Sequence, residues 1–384
     1  MKNFSLHLAT KVLFGEGQIA NLKDIIPKDA RILITYGGGS IKKNGVLEQV
    51  NAALKDHTIF EFGGIEPNPQ YTTLLKAVTY VHAHKIDFLL AVGGGSVLDG
   101  TKFIAAAACY KGDAWDIIKD SSVIKSALAL GSVLTLPATG SEMNAGAVIT
   151  RIETGDKQAF HSPHVLPRFA ILDPTTTYSL PAHQVANGVV DAFVHTTEQY
   201  LTYPVGAKVQ DRFAEGLLLT LIEEGPKALH DPKNYSVRAN IMWSATMALN
   251  GLIGAGVPGD WATHMLGHEI TALHGLDHAQ TLAIILPALL RIKKTQKHEK
   301  LLQYAQRVWG INEGSDAEKI EKAICATENF FQQMGILTHL SDYKIDASSI
   351  PSFIEKLKEH GLTKLGEHSD IGLEESAIIY TAAL

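Results

Sequence analysis

Between residues 31 and 108 the chain alternates short runs of aliphatic and β-branched residues with stretches of helical periodicity, and two of the runs end in three glycines and a serine. No other feature constrains the fold as strongly. Arg31-Ile32-Leu33-Ile34-Thr35-Tyr36 reads as a buried strand, with a helix over 41–54 behind it. Residues 58–62 give a second strand before a helix over 70–84. Asp87-Phe88-Leu89-Leu90-Ala91-Val92 gives a third before a helix over 97–108. Strands joined through helices pair in parallel, which predicts a doubly wound α/β sheet. Val133-Leu134-Thr135-Leu136 and Phe169-Ala170-Ile171-Leu172 extend it. A hairpin between them joins 147–150 to 158–160 around Glu153-Thr154-Gly155-Asp156.

Gly93-Gly94-Gly95-Ser96 stands between a strand and the helix after it. Backbone N–H groups at such a helix start point outward, and missing Cβ atoms let a phosphate come close, so a diphosphate is expected there. A nucleoside triphosphate is not favoured, because in Gly95 to Lys102 the Thr101-Lys102 pair reverses the order of a Walker loop. Gly15-Glu16-Gly17 opens no complete βαβ unit and reads as a turn. The second triplet, Gly37-Gly38-Gly39-Ser40, closes the first strong strand and is followed by Lys42 and Lys43. Sites specific for NAD commonly place a carboxylate near such a strand end to bind the ribose 2′-hydroxyl. Glycine, a serine hydroxyl and two lysines stand here instead, which favours NADP(H). The same two lysines also suit a solvated helix face.

From about residue 180 the pattern turns helical, with helices expected over 185–200, 208–229, 237–249 and 261–273. We therefore divide the chain into a dinucleotide-binding α/β domain, 1–178, and an all-α metal-binding domain, 179–384. Four histidines, His264, His268, His274 and His278, fall within fifteen residues of the helical half, although the whole chain holds only 17. Upstream, Asp191 and His195 are four apart and share one helix face. Imidazole with carboxylate and no thiolate is the ligand set of zinc or iron(II). Spacing alone does not choose among the four histidines.

Net charge is −6 with no basic block, which argues against nucleic acid and anionic membrane as partners. Cys109 and Cys325 are the only cysteines, and Cys109 follows an alanine run that reads as buried helix, so a reducing cytoplasmic location is expected. The longest apolar stretch, 282–290, is nine residues with Pro287 inside it, too short to span a bilayer.

Gly93-Gly94-Gly95-Ser96-x-x-Asp99, Leu136-Pro137-Ala138-Thr139-Gly140-Ser141-Glu142, Asp191-x-x-x-His195, His264-x-x-x-His268 and His278 together resemble the iron-containing (group III) alcohol dehydrogenases. Within that family they are similar to its bacterial NADPH-dependent aldehyde reductase and butanol dehydrogenase branch. The resemblance covers essentially the whole chain. It implies a dehydroquinate synthase-like architecture with a metal in the cleft between two domains, and the reduction of small aldehydes to primary alcohols, or the reverse. By the same carry-over, Asp191, His195, His264 and His278 would bind Zn2+ or Fe2+, and His268 would face the substrate as a proton relay or orient a ligand. Gly94, Gly95 and Ser96 would hold the diphosphate of NADP(H), with Asp99 close by. Gly37, Gly38 and Ser40 are similar to the NADPH branch, Asn68 would lie on the adenosine side, and Thr135, Thr139, Asn144 and Lys157 would line the nicotinamide end. The Leu136-Pro137-Ala138-Thr139 loop departs from the longer Thr-rich loop of many members. A homodimer with the strand around 11–14 in its interface is also implied. The alternative is a non-redox lyase of dehydroquinate synthase type. A lyase of that kind needs lysine and arginine around its metal ligands to hold an anionic sugar, and 185–200 and 257–290 contain neither.

Overall fold

Residues 1–384 are described by a computed structural model, in which the apolar runs become eight strands. They are β1 (Lys11–Phe14), β2 (Arg31–Thr35), β3 (Thr58–Phe62), β4 (Phe88–Gly94), β5 (Ala129–Leu136), β6 (Gly146–Arg151), β7 (Asp156–His161) and β8 (Phe169–Leu172). The chain folds as two units. One comprises His7–Leu180 and Pro232–Thr246, the other Met1–Leu6, Pro181–Asp231 and Met247–Leu384. A single linear division does not describe this arrangement. Met242 is buried in the core of the first unit and Trp243 packs edge-on against Phe14, while Lys2 N–H donates to Gly256 O inside the second.

The first unit carries a six-stranded sheet in the order β1-β8-β5-β4-β2-β3 with every pair parallel, and β6 and β7 form a separate antiparallel hairpin. Its helices are α1 (Leu22–Ile25), α2 (Val46–Ala53), α3 (Tyr71–His84), α4 (Gly95–Ala107) and α5 (Asp116–Lys119). Successive residues of a strand point to opposite faces, and here both faces are buried. Leu33, Leu89, Ala91, Leu130 and Leu134 join one core, while Ile32, Ile34, Phe88, Leu90, Val92 and Val133 join another. That is why the strands read as unbroken apolar runs rather than alternating ones.

The connection after β2 leads outward to β3, whereas the connection after β4 leads the other way to β5. Connections diverging from adjacent strands open a crevice at their carboxyl ends, where doubly wound sheets hold ligands. Both glycine triplets stand at these two strand ends. Gly15 (φ 127°) and Gly17 (φ 75°) form the turn expected after β1. The helix expected over 41–54 is split into a single turn at Ser40–Lys42 and α2, because Gly45 takes φ 82° between them. The alanine run before Cys109 is buried in α4 as expected, and Cys109 itself falls beyond the helix end and is exposed.

The second unit is built from α6 (Ala182–Tyr200), α7 (Lys208–His230), α9 (Ala262–His274), α10 (His278–Ile292), α11 (His298–Arg307), α12 (Asp316–Gln333), α13 (Ile350–Glu359) and α14 (Leu373–Ala382); most of α8 (Tyr235–Ala248) belongs to the first. From Gly188 to Tyr200 α6 is buried on every side. Its interior threonines satisfy their hydroxyls within the helix, Thr196 donating to Ala192 O and Thr197 to Val194 O, both at 2.9 Å. No helix is long and apolar enough to cross a membrane.

Candidate metal centre and glycine-loop site

Helical periodicity places Asp191, His195 and Glu198 of α6 at positions i, i+4 and i+7, on one buried face. α9 brings His264 against them, and His278 is the first residue of α10. Asp191 Oδ1 lies 3.3 Å from His195 Nδ1, 3.9 Å from His264 Nε2 and 3.8 Å from His278 Nε2. The donor atoms of Asp191, His195 and His264 all fall within 4.8 Å of one another. Four donors about 2 Å from a tetrahedral ion would be roughly 3.3 Å apart, so this spacing fits a divalent ion with little movement. The chemistry of the donors fits as well. His195 Nδ1 and His264 Nε2 are buried in the cluster without a hydrogen-bond partner, as lone pairs meant for a cation would be. Burial first, and then the neighbouring His264, hold the pKa of His195 well below its ordinary value, so the ring is kept neutral.

Glu198 is a site residue the motif reading missed. Its carboxylate accepts from Thr263 N–H at 2.7 Å and is bonded to His264 Nδ1. With the proton on Nδ1, His264 Nε2 presents its lone pair to Asp191. The signal lay in the sequence, as an acid three residues after His195 on the same face. His268 is buried one turn beyond His264, with its ring centroid 5.2 Å from that of His278. His274 is exposed against Phe353 and takes no part.

In the first unit, the glycines of the triplet at 93–95 prove to be packed against protein. A Cβ on Gly93 would come within 2.6 Å of Val97 Cγ2, on Gly94 within 2.9 Å of Leu136 Cβ, and on Gly95 within 2.5 Å of Thr139 Cγ2 and Oγ1. Close approach of the glycine loop to the first turn of α4, to β5 and to the loop beyond it demands their absence of side chains. Ser96 Oγ accepts from Asn68 N–H at 3.4 Å, which unites two of the expected cofactor residues. Asn68 itself is left-handed, with φ 56°.

Asp99 is bonded within the protein. Ser141 Oγ donates to its Oδ1 at 2.6 Å and Val148 N–H to its Oδ2 at 2.9 Å, so the carboxylate tethers the loop after β5 and strand β6 to α4. Lys102, one turn further on, is buried and donates to Ser141 Oγ, Asn144 Oδ1 and Gly146 O at 2.8, 3.0 and 2.7 Å. Burial pushes its pKa down to about 8. Asn144 Nδ2 donates to Thr139 O at 3.3 Å, and Thr139 Oγ1 accepts from Ser141 N–H at 3.2 Å. Thr139 and Asn144 thus build the loop after β5, Thr135 is buried near the end of that strand, and Lys157 is buried on β7.

At the end of β2, a Cβ on Gly38 or Gly39 would meet nothing within 4 Å, and Ser40 is exposed. The adjacent strand β3 supplies an acid that linear reading did not foresee. Glu61 accepts from Tyr36 Oη at 3.1 Å and pairs with Lys42 at 3.3 Å, so its charge is already met.

The chain matches known proteins along its length. Residues 9–174 match the family of iron-containing alcohol dehydrogenases, and residues 185–366 match the C-terminal part of the Fe-containing alcohol dehydrogenase family. The NADPH-dependent aldehyde reductase YqhD of Escherichia coli is 68% identical over 386 residues, covering 100% of both chains. A probable NADH-dependent butanol dehydrogenase of Bacillus subtilis is 40% identical over 391 residues, again covering 100% of both. The crystal structure of E. coli YqhD has a TM-score of 0.99 to this chain, covering 100% of this chain and 99% of that one. That of the NADH-dependent butanol dehydrogenase A from Thermotoga maritima has a TM-score of 0.95 at 34% identity, covering 100% and 99%.

Proposed function

The chain belongs to the iron-containing alcohol dehydrogenase family and is an oxidoreductase, and from that premise we propose that it reduces small aldehydes to primary alcohols with NADPH. The observation that carries this reading is the convergence of Asp191, His195, His264 and His278 on one buried point. When bound, a divalent ion supplies Lewis acidity for a carbonyl oxygen, and reduced nicotinamide supplies hydride. Asp191, His195, His264 and His278 would hold the ion. Three imidazoles and a carboxylate suit zinc as well as iron(II). Glu198 keeps His264 in the tautomer that can act as a ligand. His268, one turn along the same helix face, would carry the proton that the product alcohol needs.

On the α/β side, the α4 start at Gly94, Gly95 and Ser96 offers outward N–H groups for a diphosphate, with Asn68 beside Ser96. Thr135, Thr139, Asn144 and Lys157 would shape the nicotinamide end, and Asp99 would keep their loop in place. The open space at Gly38, the exposed Ser40 and the pairing of Glu61 with Lys42 support acceptance of a 2′-phosphate. β1 is an edge strand bonded on one side to β8, with Phe14 exposed, which supports a homodimer joined through that edge. Two cysteines outside any disulfide support a reducing cytoplasm.

The test is NADPH absorbance on adding butanal, with and without a chelator. Aldehyde-dependent consumption abolished by metal removal is expected. Absence of consumption with both NADPH and NADH would overturn the reading.

A further inference from the structure

We propose that Lys297 is a positioning residue that fixes the two ligand-bearing helices relative to each other and so sets the affinity of the metal centre. This rests on the ligand reading above. Lys297 precedes α11 and is 3% exposed. Its ammonium donates to Leu201 O at 2.8 Å, Asp260 Oδ2 at 2.5 Å and both oxygens of Glu367 at 2.7 Å. Leu201 is the C-cap of α6, whose preceding turns carry Asp191 and His195. Asp260 prepares the start of α9. Its Oδ1 accepts from Ala262 N–H at 2.9 Å, and its own N–H donates to Glu198 O at 2.9 Å. One ammonium therefore bonds the C-cap of α6 and the residue before the N-cap of α9 at once.

Two physical arguments point the same way. The final carbonyls of a helix have no partner within it, and a cation there is also favoured by the helix dipole. Asp260 further holds Trp261 at φ 62°, a left-handed conformation that a bulky residue adopts only when its surroundings impose it. The Trp261 ring then packs 5.5 Å from that of His264. Burying a lysine with two carboxylates is a poor route to stability alone, since apolar replacements often do as well. What this cluster supplies is a fixed spacing between α6 and α9, and with it the separation of Asp191 and His195 from His264.

The experiment is titration of the metal-free protein with Co2+, followed by visible absorbance, with NADPH binding and thermal unfolding measured on the same samples. Lys297→Met should weaken Co2+ binding by about 10- to 100-fold, the usual effect of removing groups that orient ligands, and leave NADPH affinity unchanged. Should Lys297→Met fail to fold, Asp260→Asn takes its place. That variant keeps the volume and the oxygen for Ala262 N–H but turns an amide towards the ammonium, and the same loss is expected. A lower unfolding temperature with wild-type Co2+ affinity in Lys297→Met or Asp260→Asn would overturn the positioning role. Wild-type Co2+ binding by Asp191→Ala would instead overturn the ligand assignment, which separates the two failures.

Discussion

A methyl group on residue 95 would sit 2.5 Å from both Thr139 Cγ2 and Oγ1, closer than real contacts permit. Gly95→Ala should therefore destabilise the protein by about 1–3 kcal/mol, as overpacking does, and raise KM for NADPH by displacing the start of α4. Urea unfolding and steady-state kinetics check this, and adding Thr139→Ala should recover part of both losses. If Gly95→Ala matched the wild type in stability, Gly95 would not be tightly packed against Thr139. Three glycines before a helix were legible in the sequence. Their contacts with Val97, Leu136 and Thr139 were not, because two of the three partners lie some forty residues away. Glu367 offers a second prediction. Burial raises its pKa from 4.5 to about 7, helped by Asp260 and opposed by Lys297. A carboxyl whose folded pKa is raised contributes stability that is present below pH 4.5 and lost as pH rises through about 7. Glu367→Gln removes that loss, so its stability relative to wild type should climb between pH 5 and pH 8. Denaturant unfolding at those two pH values reads the sign, and a constant difference would show that Glu367 does not titrate in this way.

Helix period made α6 readable in advance. Asp191 and His195 share a face at i and i+4, and Glu198 at i+7 belonged to the same pattern although the motif stopped short of it. The histidine cluster was less legible for a geometric reason. α9 ends at Gly275 with φ 71°, so His278 begins a new helix whose direction no spacing rule encodes. Periodicity within α9 accounts for His264 and His268 on one side and for His274 facing away. The start of α10 is therefore where the site depends most on local backbone. Asp277 caps it in a reciprocal box with Gln280, and Asn187 of α6 donates to Asp277 Oδ2 at 2.9 Å. Asp277→Ala should cost about 1 kcal/mol, the usual value of a helix cap, and also weaken Co2+ binding because His278 is the first residue after the cap. Loss of stability with unaltered metal affinity would show that His278 is held by something other than its helix start.

At the level of the molecule, each unit has its own source of order, and each proposed ligand would belong to a different one. The sheet with its two buried faces was legible because parallel strands covered on both sides leave continuous apolar runs. That residues 232–246 pack with the sheet-bearing unit was not legible, since their helical pattern matches that of their neighbours in sequence. A ligand that binds only the folded form stabilises by mass action, by about 2.7 kcal/mol at one hundred times its Kd. Metal should act on the unit that carries Asp191, His195, His264 and His278, and NADPH on the unit that carries the glycine loops. Calorimetry should then resolve two transitions, one moved upward by Zn2+ and the other by NADPH. In Asp191→Ala the first shift should vanish and the second persist, whereas Gly95→Ala should reverse that pattern. A single transition raised equally by either ligand in the wild type would mean that the two units unfold as one, and their separate cores would no longer account for the stability of the chain.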